Sequence, residues 1–166
     1  MANLSPTAVL RIFEEVAAAS RGAARVAQEP DEDGLTLLQL VPSRDSAAGI
    51  SGAVEPDGSR VYLSIGRATP VEIDGEGGAF TELSSLDEIR EIVEQVARGR
   101  FEEVVWSKGA VVVKATGTLI LQGKPVTIHY RSLEGGPLVW IWRAFQAARK
   151  EHHRYAPYTQ DFSPEE

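Results

Sequence analysis

Polarity alternates most regularly over residues 101–132, where three segments switch between apolar and polar positions every second residue and two glycine-containing turns separate them. A period of two is what a strand with one covered face requires, so the stretch predicts an antiparallel meander. Gly123-Lys124 reads as the second turn, with Gly supplying the positive φ of a tight hairpin. That turn sets Leu121 opposite Val126, Leu119 opposite Ile128 and Gly117 opposite Tyr130 on the apolar side. Thr118 then faces His129, and Thr116 faces Arg131, on the wet side. Lys108-Gly109 reads as the first turn, placing Trp106 opposite Val111 and Val104 opposite Val113 on the apolar side, with Glu103 opposite Lys114 in water. A slip of one residue would turn an apolar set outward, so register and burial are tied together.

Upstream, residues 50–55 and 60–66 flank Asp57-Gly58 and predict a hairpin with Val54 opposite Val61, Gly52 opposite Leu63 and Ile50 opposite Ile65 toward the core. Residues 35–41 read as an interior strand with apolar side chains on both faces, and 71–74 as a further short strand. Ser5 followed by Pro6, with Val9, Ile12, Phe13 and Val16 on one stripe, predicts a helix over 5–20. The stretch 23–34, with Pro30 and three acids, reads as a loop, the alternative being that 23–28 extends the helix. A second helix is predicted over 85–98: Ser85 and Glu88 form a capping box, Asp87 and Glu88 sit at the positive end of the dipole, and Gly99 closes it. Leu138, Ile141, Trp142 and Phe145 predict a last helix over 138–151, whose first residues also suit a strand. These elements make an α+β domain: a mainly antiparallel sheet of about six to seven strands in two meander-like halves, with about three helices mostly on one face. The body is expected over 1–151, and 152–166 is expected as a tail or arm.

Composition narrows the classes. A chain of 166 residues suits one domain, and 43% hydrophobic with 25% charged residues excludes a disordered chain. The apolar runs are too short for a bilayer and the start has no basic-then-apolar leader, so a cytoplasmic location is expected, with no membrane partner. The absence of Cys excludes disulfides, thiol catalysis and thiolate metal sites. A net charge of −7 argues against nucleic acid as a partner.

That charge is uneven. From 72 to 94 the acids Glu72, Asp74, Glu76, Glu82, Asp87, Glu88, Glu91 and Glu94 face Arg90 alone. Read blandly, this is a solvated face; read sharply, Glu72, Asp74, Glu76, Asp87, Glu88, Glu91 and Glu94 form a docking surface for a basic protein partner. The second candidate set is Glu103, Trp106, Lys114, His129, Tyr130, Arg131 and Trp142, as a polar sheet-face site or a pocket between the sheet and the last helix. Its competitor is an exposed sheet face dressed in Thr and charges. No phosphate loop, dinucleotide fingerprint, nucleophile elbow or metalloprotease helix occurs, and Gly75-Glu76-Gly77-Gly78 reads as a connector. His152-His153 with Asp161 does not converge on a metal if helical, since adjacent helix positions point about 100° apart. No cofactor and no metal are expected.

The leading expectation is a non-enzymatic protein-binding protein, toxin-neutralising or secretion-chaperone-like. The order of helices and strands loosely resembles that of secretion-chaperone folds, although the strand counts differ. The alternative is a small-molecule binder or enzyme, and edge strands offer a route to a homo-oligomer.

Overall fold

Helix α1 (Pro6–Ala19) starts where Ser5 Oγ accepts the Ala8 N–H at 3.3 Å and Pro6 takes the first helical position, and it buries Val9, Ile12, Phe13 and Val16. The computed structural model describes residues 4–30, 34–75, 77–131 and 147–159. After α1 the chain lays down β1 (Ala24–Pro30), β2 (Thr36–Pro42), β3 (Ile50–Val54), β4 (Arg60–Ile65) and β5 (Thr69–Asp74), an antiparallel five-stranded sheet in sequential order, sheet A. Helix α2 (Ser85–Ala97) leads to β6 (Phe101–Lys108), β7 (Val111–Leu121) and β8 (Lys124–Arg131), and β9 (Arg149–Arg154) pairs with the free edge of β6. Sheet B therefore has four strands in the order β8-β7-β6-β9.

The fold is α+β as expected, but the described residues hold nine strands in two sheets rather than six to seven in one, and two helices rather than three. Residues 23–34 were expected as loop or helix, yet Ala24–Pro30 pairs with β2 along its whole length. Val26 is the only large apolar residue there, so the strand takes its identity from its partner rather than from its own period. Residues 149–151, expected to close a third helix, begin β9, and 147–148 are not helical; the rest of that helix, 138–146, falls outside the described residues. The cap of α2 is Ser84, which accepts the Asp87 N–H at 3.3 Å, whereas Ser85 donates to Asp74 O at 2.6 Å and ties the helix to β5.

The hairpins differ in how closely they follow the pattern. In β3–β4 the pairs are those expected, Val54 with Val61, Gly52 with Leu63 and Ile50 with Ile65. In β7–β8 the turn is Gln122-Gly123, at φ 49° and 71°, one residue earlier than expected, which shifts the register by two: Leu119 meets Val126 and Thr116 meets His129. A shift of two leaves every side chain on its expected face. In β6–β7 the ladder slips between Trp106 and Ser107, so Lys108 meets Val111 but Trp106 meets Lys114. Phe101, Glu103 and Val105 therefore point inward, and Val104 and Trp106 outward, the reverse of the expectation. Both sets carry bulky apolar residues, so alternation did not choose between them; the irregularity in pairing did.

One core runs through the molecule. It joins Phe13 and Val16 of α1, Leu38, Leu40 and Ile65 of sheet A, Ile89, Ile92 and Val96 of α2, and Phe101, Leu119 and Ile128 of sheet B. The helices pack on one another, and β5 lies against β7 and β8. At Gly117 the two sheets approach closely: a Cβ there would lie 2.5 Å from Thr69 Cγ2 and 2.9 Å from Phe101 Cε2. The expected body-to-tail boundary falls inside β9, and beyond it Tyr155 and Tyr158 pack on the core. Tyr158 is buried, its hydroxyl donating to Ala48 O at 2.7 Å and its N–H to Ala97 O at 2.8 Å. No described helix is long and apolar enough to cross a membrane.

Candidate docking face and the junction behind it

Strand pairing in sheet B writes its outer face row by row. Across β8, β7, β6 and β9 the first row is Arg131, Lys114, Trp106 and Lys150. His129, Thr116, Val104 and His152 make the second, and Thr127, Thr118, Glu102 and Arg154 the third. Each row crosses three strand spacings, roughly 14 Å. Trp106 sits between two ammonium groups, with Lys114 Nζ 4.5 Å and Lys150 Nζ 5.5 Å from its ring centroid. Such contacts keep cations beside an apolar plate instead of dispersing them in solvent. Glu102 is the one acid in these rows, and it accepts from Arg154 Nε at 3.1 Å with His152 Nε2 3.4 Å away. On a chain of net charge −7 this face is locally cationic.

The inner face of the same strands does other work. Glu103 is fully buried and accepts from Arg67 N at 2.6 Å, Thr69 Oγ1 at 3.1 Å, Ala68 N at 3.2 Å and the Tyr155 hydroxyl. The first three donors belong to the turn and start of strand after β4, so one carboxylate pins sheet B to sheet A. Four donors are what allow a carboxylate to lie out of water at tolerable cost. Burial, and then the bond to Glu103, push the Tyr155 hydroxyl well above its ordinary pKa, so it stays a donor. Its ring stacks on Phe101 at 5.5 Å between centroids. Sequence reasoning placed Glu103 in water; the available signal was that it shares a face with Phe101 and Val105, two residues either side.

The other expected site residues are scattered. Glu72 and Asp74 share Arg60, at 3.1 and 3.0 Å from its Nε. Asp87 serves the cap of α2, and Glu94 pairs with Arg98 at 3.5 Å. Glu91 Oε1 accepts the Gln122 N–H at 2.5 Å, fastening α2 to the β7–β8 turn. Glu88 is buried, its Oε1 accepting Phe80 N at 2.7 Å, and burial raises its pKa. Glu76 and Trp142 lie outside the described residues. Of the second set, Trp106, Lys114, His129 and Arg131 do gather on the outer face, whereas Glu103 and Tyr130 belong to the inner one. His152 and His153 point to opposite sides of β9, and no three His, Cys, Asp or Glu among the described residues are grouped to hold a metal.

Searches against family models, curated proteins and solved structures return no match for this chain.

Proposed function

We propose that this protein is a non-enzymatic protein-binding protein that docks an acidic segment of its partner on the outer face of sheet B. The observation that carries this is the row Arg131, Lys114, Trp106 and Lys150, with Arg154 below it, in a chain whose net charge is −7. Trp and Arg are the side chains that most often dominate binding energy, and here a half-buried Trp is ringed by cations. Complementary charge speeds encounter and fixes orientation, and the net acidity of the rest of the molecule disfavours an acidic partner there.

The acidic stretch is the weaker surface for a basic partner. Glu88 is buried, Glu91 holds a turn, and Glu72 and Asp74 share Arg60, which offsets one of their two charges. A toxin-neutralising or chaperone-like role requires only such a docking face. Nucleic acid fits the face but not the whole, because a long polyanion would also meet the acidic body.

The test is an NMR titration with a short peptide alternating Glu and Leu. Expected are saturable shifts at the amides of Lys114, Thr116 and Lys150, weakening with salt, and at least about tenfold weaker binding in Lys114→Glu/Lys150→Glu. Tighter binding of a Lys-rich peptide at α2 would return the argument to the acidic stretch. Tighter binding of a single-stranded oligonucleotide would make the face a nucleic-acid surface, and no shift at all would remove it as a docking site.

A further inference from the structure

On the opposite side of sheet B, a cleft of about 390 Å³ opens between the β6–β7 hairpin, β9 and the turn after β4. That size lies within the usual ~300–1,000 Å³ of small-molecule sites. Val105, Ala110 and Val112 give it an apolar wall, and Arg67 and Arg149 stand at its margin. Both guanidiniums are held by one carboxylate, with Arg67 Nη1 2.8 Å from Glu151 Oε2 and Arg149 Nε 2.8 Å from Glu151 Oε1. His153 Nε2 also lies 3.3 Å from Glu151 Oε2, outside hydrogen-bonding geometry; it is buried and has no hydrogen-bond partner among the described residues.

Among the described residues, the charges at the margin are two fixed cations against one anion, and both oxygens of that anion are already engaged. Each guanidinium carries five N–H donors in a planar fork, and Glu151 takes one nitrogen of each. With their side chains 60% and 80% exposed, Arg67 and Arg149 keep donors that an incoming group can reach. Glu103, the nearest buried acid on the adjoining strand, is occupied by its own four donors and adds no free acceptor. We infer that this cleft binds a small molecule carrying one compact anionic group, carboxylate or phosphate, on an apolar body. The anion bridges the two arginines, and the body lies on Val105, Ala110 and Val112.

This inference does not rest on the outer face. Trp106 lies on the other side of the sheet, so the two readings fail separately. The experiment titrates the full chain with benzoate, phenyl phosphate and benzyl alcohol, following backbone amides by NMR. Saturable shifts at Val105, Ser107, Ala110 and Val112 are expected with at least one of the two anions, and the tighter of them identifies the headgroup. Arg149→Gln should weaken that binding at least about tenfold, while Trp106→Ala leaves it unchanged. Ala110→Trp, which fills the cleft and keeps both guanidiniums, should block it. Benzyl alcohol binding as tightly as the anions, full affinity in Arg149→Gln, loss of binding in Trp106→Ala, or no saturable shift with either anion would each overturn the proposal.

Discussion

Glu102 and Glu103 are adjacent in the chain and lie on opposite sides of one strand. Glu102 stands in water among Arg154 and His152, where a carboxylate and its partners exchange solvent for one another at small gain. Glu103 is sealed between two sheets and accepts four hydrogen bonds, three of them from the segment that follows β4. The same functional group is a tunable surface charge in one place and a structural tie in the other. What separates them is the half-turn of a strand and the supply of donors beyond it. Glu88 adds a third condition: buried like Glu103, it has Phe80 N on one oxygen and no hydrogen-bond partner for the other among the described residues.

The largest effect should come from removing the tie. Glu103→Ala leaves two backbone N–H groups and two hydroxyls without their acceptor, and should cost about 3–5 kcal/mol in urea denaturation. Glu102→Ala should change stability by less than about 1 kcal/mol, and equal losses in the two variants would erase the distinction drawn above. Next comes the packing that brings the sheets together. Gly117→Ala must push Thr69 or Phe101 aside and should cost about 1–3 kcal/mol, with a lowered melting temperature as the readout. A neutral result would mean that the sheets slide apart without penalty.

Tyr155→Phe takes away one of the four donors while keeping the ring on Phe101, so a loss of about 1 kcal/mol is expected. A loss as large as that of Glu103→Ala would show that Tyr155 alone holds the carboxylate. The smallest effect is in pH dependence. Because burial raises the folded-state pKa of Glu88 above its ordinary 4.5, its contribution to stability is full below that value and is lost as pH rises through the raised one. Glu88→Gln does not titrate, so its stability relative to the parent should improve as pH is raised from about 4 towards neutrality. Denaturation curves that keep a constant gap across that range would show that burial does not raise the Glu88 pKa.

Much of the architecture was legible in the residues. Ser5-Pro6 and the stripe through Val9, Ile12, Phe13 and Val16 define α1, and the β3–β4 pairing follows from Asp57-Gly58 and an alternation that agree with each other. In β7–β8 the turn was misplaced by one residue, yet the faces survived because the resulting register change was even. Of the candidate site, the grouping of Lys114, His129 and Arg131 was also readable from alternation.

Elsewhere local pattern offered no decision. In β6 the pair Phe101 and Val105 and the pair Val104 and Trp106 are equally suited to a core, and only the slip at Trp106/Ser107 and the fit of Phe101 against Gly117 and Tyr155 chose between them. Strand β9 reads Arg-Lys-Glu-His-His-Arg, with no apolar period at all, and is a strand because the edge of β6 was free to receive it. Sequence alone determined which short segments form helices and hairpins, since capping, turn chemistry and periodicity act within a few residues. The tertiary structure decided which face of β6 is covered, that Glu103 is a tie and not a surface charge, and that the basic residues of distant strands share one face. Those outcomes depend on donors and edges supplied from tens of residues away, and no local period records them.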